Sequence, residues 1–460
     1  MGSEKREADK DKSMMEKSQD LREERKQWYI SSFASFEARL NGSRSVPFHQ
    51  TRKNALACFA ELGFPTQRQE EWRYTNIAPL LREKFQLDGG AVEVKAEDVK
   101  PFVIEGLKEN LMVFVNGRFQ PELSRLASDA EGLHIASLRQ ALMDHSGLVE
   151  QHLGKHADFE RETFTALNTA FADDGLFVFV PDNTVVAEPL HVVNLAIADG
   201  TGARIAHPRN LFVVGKNSQV SIVEGFHYLG DGVYFNNLVT EVVVAERAVV
   251  NHLKVQEESH RAYHVSNTKV HQRQGSVYTS VNVDLGAALA RNNLNILLDG
   301  ENCEANMFGF YLGQGRQHID NHTFIDHAKP HCDSNELYKG ILDQQARAVF
   351  SGKILVRPDA QKTNAFQSNK TLLLTSEANI NAKPQLEIFA DDVKCSHGAT
   401  IGQLDDEAMF YLRSRGIGEH MAGAMLRHAF ISDVLGHIGI EPLREALDHK
   451  IMQRFAHASF

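Results

Sequence analysis

The first third of the chain places its hydrophobic residues mainly at helical spacing. Leu56, Phe59 and Leu62 recur three residues apart and stop before Gly63, which is typical of the end of an amphipathic helix. A shorter apolar run at residues 111–117 is typical of a strand. Residues 27–172 are therefore predicted to form a mostly helical N-terminal domain that also contains some β structure.

The segment before this domain has no hydrophobic face to bury. Residues 1–26 contain 16 charged residues, eight of each sign. Such a mixture is typical of a frayed solvated helix or of a disordered tail, with a docking arm as the functional alternative. We predict a charged, disordered extension at residues 1–26.

The pattern changes near Asp173, after which short alternating strands follow one another to about Ile401. Units of turn and strand repeat at intervals of 30, 28, 28 and 29 residues, beginning near Ser218, Ala248, Ser276, Glu304 and Asp333. A constant step that holds two strands predicts a β-helix or solenoid, in which each coil stacks only on its neighbours. An irregular double-sheet sandwich is the alternative for residues 173–403.

Helical spacing returns after Leu404. Asp405 and Asp406 supply an N-cap and a first-turn acid, and two further amphipathic helices follow them. Residues 404–460 are too few to bury a large core alone. We expect this small helical domain to pack on the β core or to receive another protein.

Composition narrows the classes of function. The 460 residues are 42% hydrophobic and 24% charged, and the net charge of −11 disfavours nucleic acid as the main partner. No apolar run is long enough for a membrane span, and no secretory signal is recognisable. The four cysteines are far apart, which is typical of reduced thiols. We expect a cytoplasmic protein that binds neither nucleic acid nor a membrane.

Common catalytic signatures are absent from the sequence. It contains no GxxxxGK[ST], no GxGxxG after a strand, no HExxH and no GxSxG. One stretch is rich in possible metal ligands, namely His318, Asp320, His322, His327, His331 and Cys332. On a strand, the first three of these would share one face, as in a metal-binding set. A ladder of stacked polar residues with satisfied hydrogen bonds is the structural alternative.

A second pair of candidate ligands stands just before the C-terminal helices. Cys395 and His397 are two residues apart, so an extended strand would place them on the same face. They could supply two ligands of a soft-metal site, or a thiolate beside its imidazolium. A small buried cysteine is the structural alternative, because two ligands alone do not complete a tetrahedral site.

Four stretches of the sequence carry a family resemblance. They are PQLEIFADDVKCSHGATIGQLDDEAMFYLRSRGI at residues 384–417, ELYKGIL at 336–342, RNNLNILLDGENCEANMFGFYL at 291–312 and QEEWRYTN at 69–76. Together they resemble the SufB/SufD family, the non-ATPase scaffold subunits of the SUF machinery for iron–sulfur cluster assembly. The resemblance covers roughly residues 65–455, and the CSHGAT form and the RQEEWRYTN segment favour the SufD branch.

The resemblance implies a mainly β fold. A right-handed parallel β-helix core would be flanked by an N-terminal, mostly helical domain and a small C-terminal helical domain. The C-terminal helices would dock the ATPase SufC, and the edge of the β-helix would pair with SufB. The predicted SufC-docking residues are Asp405, Asp406, Phe410, Tyr411, Arg413 and Arg415.

The resemblance also assigns a role to the isolated pair. His397 matches an interface histidine and Cys395 a neighbouring cysteine, so both would ligate a metal or cluster shared with SufB. We then expect a scaffold and not an enzyme, with a transient iron–sulfur cluster at the interface and no tightly bound cofactor. Alone, the chain could form a homodimer. The alternative is a stand-alone β-solenoid enzyme or metal-binding protein that uses the His318–Cys332 cluster.

Overall fold

The computed structural model describes residues 2–40, 46–87, 92–127, 130–198, 200 and 202–457. Its α-helices are α1 (Gly2–Ala38), α2 (Phe48–Leu62), α3 (Ala78–Arg82), α4 (Ala96–Val99), α5 (Leu138–Asp144), α6 (Ser146–His152), α7 (Thr163–Phe171), α8 (Asp406–Ser414), α9 (Glu419–Gly436) and α10 (Glu441–His457). Short 3-10 turns lie at Glu70–Trp72, Lys100–Phe102 and Pro121–Leu123.

The strands occupy the centre of the chain. They are β1 (Phe85–Gln86), β2 (Asn110–Val115), β3 (Arg118–Phe119), β4 (Arg125–Leu126), β5 (His134–Ser137), β6 (Leu176–Val180), β7 (Leu190–Ile197), β8 (Ala203–Ala206), β9 (Arg209–Val214), β10 (Gln219–Leu229), β11 (Tyr234–Val244), β12 (Val249–Gln256), β13 (Tyr263–Gln272), β14 (Val277–Asp284), β15 (Leu289–Leu298), β16 (Glu304–Gly313), β17 (His318–His327), β18 (Asp333–Leu342), β19 (Arg347–Val356), β20 (Asn364–Leu373), β21 (Asn379–Ile388) and β22 (Lys394–Gly402).

From β9 onward, consecutive strands alternate between two parallel sheets. One sheet runs β9, β11, β13, β15, β17, β19, β21, and the other runs β10, β12, β14, β16, β18, β20, β22. The register pairs Gln219 with Val249, Val249 with Val277 and Val277 with Glu304, which are steps of 30, 28 and 27 residues. The predicted solenoid is confirmed, with about 7 turns, and the sandwich alternative is wrong.

One corner of each coil is built in the same way. The residue two positions before each even-numbered strand from β10 to β20 has a left-handed backbone, at Asn217, Arg247, Gly275, Asn302, His331 and Lys362. Its N–H donates to a carbonyl of the next coil, for example from Asn217 to Glu246 O at 3.0 Å and from His331 to Gln361 O at 2.9 Å. These repeated bonds keep neighbouring coils in register and satisfy the backbone of the corner.

Helices cover the outer faces of both sheets. In the N-terminal region, Tyr29 and Phe33 of α1 and Phe164 of α7 pack in one cluster with Phe235 of β11. At the other face, α9 and α10 bury residues such as Ile431 against the outer side of the even-numbered sheet. The C-terminal unit therefore packs on the β core, which was one of its two expected roles.

The first helix includes the charged extension. Residues 2–26 lie within α1, so of the two forms considered for this segment the structure has the helix; Met1 lies outside the described residues. Lys26 forms an ion pair with Glu23 at 2.8 Å, one turn away. Within the part of the chain that the structure describes, no helix is both long enough and apolar enough to cross a membrane.

Candidate functional site

The solenoid ends at β21 and β22, each of which closes one sheet. In the described ranges β22 pairs with β20 and β21 with β19, and no strand pairs with the outer edge of either. Such edges present unpaired N–H and C=O groups that can accept a strand of another chain. The end of the solenoid is thus an open surface.

Cys395 and His397 lie on β22 at this open end. The register stacks Cys395 on Ala365 and His397 on Gln367, two residues whose side chains belong to the solenoid interior. Because residues i and i+2 share a face of a strand, both side chains lie on the inner face of the last coil. The thiol is half-buried and packs against the core, whereas His397 is exposed.

Burial has a chemical consequence for the thiol. It raises the pKa of Cys395, so the isolated chain holds this side chain mainly as the thiol at neutral pH. The exposed imidazole is therefore the more accessible donor of the two. Two donors leave a four-coordinate soft-metal site incomplete.

The predicted docking residues lie on α8, directly after β22. None of the residues of this helix is buried, and Phe410 and Tyr411 are 74% and 57% exposed. Asp405 caps the helix by accepting from the N–H groups of Glu407 and Ala408, at 2.8 and 3.2 Å. The acid predicted as an N-cap is thus already used within the chain.

The basic residues at the end of α8 also have partners in the chain. Arg413 forms an ion pair with Glu419 at 3.3 Å, and the guanidinium of Arg415 lies over the Tyr411 ring, 5.1 Å from its centroid. Asp406 flanks a shallow concavity of about 450 Å³ that is also lined by Phe410 and Tyr411. The groups that α8 offers to another protein are consequently the exposed rings of Phe410 and Tyr411, with the carboxylate of Asp406 beside them.

The six residues of the His318–Cys332 cluster do not converge on one site, although His322 Nε2 lies 2.8 Å from Asp320 Oδ1. His318, Asp320 and His322 share the outer face of β17, as predicted, but Asp320 is already bound by groups from distant segments. Thr75 Oγ1 and Arg291 Nη1 each donate to Asp320 Oδ2 at 2.5 Å. Burial opposes ionisation, but the charges of Arg291 and His322 outweigh it and hold the pKa of Asp320 well below its usual range.

The remaining members of the cluster face elsewhere. His327 is buried, with Nε2 2.9 Å from Ser334 Oγ, and burial lowers its pKa to about 4. His331 is the left-handed corner residue, and the Cys332 thiol donates to Gly300 O at 3.2 Å. Among the residues that the structure describes, no three His, Cys, Asp or Glu side chains form a group able to hold a metal ion.

Two interior residues beneath the open end were assigned no role by sequence reasoning. Glu336 on β18 and Gln367 on β20 are joined by a hydrogen bond from Gln367 Nε2 to Glu336 Oε2 at 2.7 Å. Burial raises the pKa of Glu336 to about 7. The register continues from Gln367 to His397, so the three positions are 31 and 30 residues apart. That spacing equals the solenoid step and was the available signal.

Comparison with known proteins adds the family. A model described as "SUF system FeS cluster assembly, SufBD core domain" matches residues 196–430, and one described as "SufBD protein N-terminal region" matches residues 23–192. The chain belongs to the SufBD family. It is of the SufD type, and its role lies in iron–sulfur cluster assembly.

Relatives match over most of the chain. An iron–sulfur cluster assembly SufBD family protein of Synechocystis is 35% identical over 89% of this chain and 92% of the relative. The iron–sulfur cluster assembly protein SufD of Escherichia coli is 30% identical over 91% of this chain and 95% of its own length. A chloroplastic protein of Arabidopsis thaliana is 29% identical over 85% and 83%.

Proposed function

We propose that this SufBD-family chain is a scaffold subunit without ATPase activity, which works with SufB and the ATPase SufC. The observation that carries the proposal is the open outer edge of β22, where the His397 and Cys395 pair lies. A nascent iron–sulfur cluster, the cargo of the assembly, would be held there only transiently. No tightly bound cofactor is required of this chain.

Ligand chemistry supports a shared site. Iron–sulfur clusters are held by thiolates, in some cases with imidazole as a replacement ligand. His397 and Cys395 supply two donors of these types, and the described residues offer no third ligand beside them. The missing donors would come from SufB across the open edge. The incomplete pair is then one half of an interfacial site.

The surface around the pair supports a protein partner. The exposed large hydrophobic residues at this end include Phe366, Phe389 and Ile401. Exposed apolar side chains next to an unpaired strand edge are typical of a surface that another protein covers. This combination favours pairing with SufB through the end of the β-helix.

The second partner would bind α8. Phe410 and Tyr411 project from a helix with no buried residues, while α9 and α10 attach the unit firmly to the solenoid. Aromatic anchors on a rigid base are frequent hot spots of protein interfaces. We assign the docking of SufC to this aromatic face, with Asp406 at its rim.

The function is tested by co-expressing the chain with SufB and SufC and following cluster formation on the purified complex. We expect the complex to form with His397→Ala, because His397 is exposed and supports no packing. Cluster formation, measured by visible absorbance and iron content, should fall by at least about 10-fold, because the loss of a residue that only orients a metal ligand already costs about that much.

Ser396→Ala is the matched control, since Ser396 neighbours His397 on the opposite face of the same strand. It should assemble clusters as the wild type does. Failure of the wild-type chain to bind SufB or SufC would contradict the scaffold role. Normal cluster formation with His397→Ala would remove this residue from the site.

Phe410→Ala tests the SufC surface separately. Loss of a large exposed aromatic anchor should weaken SufC binding by about 2 kcal/mol or more, measured by calorimetry, without unfolding the chain. Met143→Ala removes another exposed apolar side chain, which lies on α5, and should leave SufC binding unchanged. Equal affinity of the Phe410→Ala variant and the wild type would place the SufC surface elsewhere.

A further inference from the structure

A polar column lies directly beneath His397. The in-register pairing of β18, β20 and β22 stacks Glu336, Gln367 and His397 one above another. Adjacent parallel strands are about 4.8 Å apart, so side chains at these positions are within contact distance of the next layer. Gln367 and Glu336 are only 3% and 1% exposed, which places both inside the solenoid.

Among the described residues, the amide of Gln367 is hydrogen-bonded within the interior through its nitrogen but not through its oxygen. Its Nε2 donates to Glu336 Oε2 at 2.7 Å, which directs the amide nitrogen inward. Its Oε1 is buried and accepts no hydrogen bond from the described residues. A buried acceptor without a donor costs about 1–3 kcal/mol, so a donor from the next layer would be stabilising.

His397 is the residue stacked on that amide. Its imidazole has no hydrogen-bond partner among the residues that the structure describes, and its flanking inner-face neighbours, Cys395 and Ala399, offer at most a weak thiol donor. An imidazole N–H is a hydrogen-bond donor, and His397 lies on the strand directly adjacent to Gln367, about 4.8 Å away. The unpaired acceptor and the unpaired donor thus occupy consecutive layers of the same column.

The opposite sheet leaves room for the amide. Gly352 on β19 faces Gln367, and a Cβ at position 352 would lie 2.2 Å from Gln367 Nε2. Any larger residue there would displace the amide from its present place. Gly352 therefore leaves the space that the present position of the Gln367 amide requires.

We propose that Gln367, held by Glu336, is a positioning residue for His397: when the exposed imidazole rotates toward the interior, one ring N–H donates to Gln367 Oε1, and the lone pair of the other ring nitrogen is directed toward the open edge. In a neutral histidine, the hydrogen bond made by one nitrogen decides which tautomer is present. Fixing the tautomer prepares the other nitrogen as a ligand. The use of that ligand at a cluster rests on the proposed function, whereas the hydrogen bond is a property of this chain alone.

The hydrogen bond is tested on the isolated chain by NMR of ¹⁵N-histidine-labelled protein, at a pH where the imidazole is neutral. The His397 signals are assigned by their loss in His397→Ala. We expect one tautomer in the wild type and a mixture close to that of free imidazole in Gln367→Met, a variant of similar volume that keeps the interior filled.

Two further variants secure the result. Gly352→Ala retains every polar group but displaces the amide, and it should give the same tautomer mixture as Gln367→Met. Ser368→Ala, on the outer face of β20, should keep the wild-type tautomer. A tautomer mixture in the wild type, or a single unchanged tautomer in a folded Gln367→Met or Gly352→Ala variant, would overturn the proposal.

The role in cluster assembly is measured on the complex with SufB and SufC. Removing a residue that orients a metal ligand usually lowers affinity by about 10- to 100-fold, so Gln367→Met should reduce cluster retention on that scale. Normal retention despite a changed tautomer would overturn the positioning role at the cluster. If His397→Ala assembled clusters normally, His397 would not belong to the assembly site, and the NMR result would still decide the hydrogen bond.

Discussion

Two sets of candidate ligands, one in the middle coils and one in the last coil of this solenoid, have different surroundings although their residue types are similar. In the middle coils, Asp320 is closed in by Thr75 and Arg291, and Cys332 donates to a carbonyl oxygen. At the last coil, His397 has no partner among the described residues, and no described strand pairs with the outer edge of β22.

The difference follows from the position of each set along the stack. A middle coil has a neighbour on both sides and a helical cover, so groups such as Asp320 Oδ2 and the Cys332 thiol find partners within the chain. The final coil has a neighbour on one side only. Donors that remain unsatisfied at such an edge are available to another protein, and this favours β22 over β17 as the functional surface.

Removing the central carboxylate of the middle set should give the largest change in stability. Asp320→Ala leaves the Arg291 guanidinium, which is 2% exposed, without its buried counter-charge. We expect a loss of about 3–5 kcal/mol in the free energy of unfolding, measured with urea. Cluster formation per folded complex should be unaffected.

Asp326→Ala on the same strand is the matched control. Its partner Arg357 is half exposed, so water can replace the lost ion pair and the cost should be about 1 kcal/mol or less. Equal costs for the two variants, or loss of clusters from a folded Asp320→Ala complex, would contradict the division between a structural and a functional set.

The solenoid and the shared face of Cys395 and His397 could be predicted because both depend on local periodicity, whereas the edge open to a partner was expected only from the family resemblance. A step near 29 residues fixes which positions stack, and the period of two in a strand places Cys395 and His397 on one face. Helical spacing after Leu404 likewise predicted the C-terminal helices. The sequence alone did not show whether Asp405 caps the helix or contacts a partner protein.

The surroundings of Asp320 could not be predicted, since its partners come from remote segments. Thr75 is 245 residues away in sequence, and nothing in either segment specifies their contact. The Glu336–Gln367 bond was missed for a related reason. Both residues lie inside a core where alternation predicts apolar side chains, so only the exact strand register brings them together.

Glu336 provides a test of how dry the interior beneath the open end is. Burial raises its pKa to about 7, compared with about 4.3 for an unfolded chain. Between these values the folded chain keeps a proton that the unfolded chain has lost. Its contribution to stability is therefore fully present at low pH and is lost as pH rises through about 7.

Glu336→Gln should remove that dependence. We expect the free energy of unfolding of the wild type, relative to this variant, to fall by on the order of 3 kcal/mol between pH 5 and pH 8. Urea titrations at both values measure it. Glu304→Gln, at an exposed position on β16, is the control and should follow the wild type. A wild-type slope that persists in Glu336→Gln would mean that this carboxyl is hydrated.

The smallest effect is expected within the open-end pair itself. Cys395 packs against the core and burial raises its pKa, so it offers less thiolate than an exposed cysteine would. Cys395→Ala in the assembled complex should reduce the cluster yield several-fold, which is less than His397→Ala. Cys332→Ala, in the middle set, should not change the yield per folded complex. If Cys395→Ala abolished clusters as completely as His397→Ala, the thiol would be an equal ligand. Contact with SufB would then stabilise the thiolate by more than the free-energy cost of ionising a half-buried sulfur.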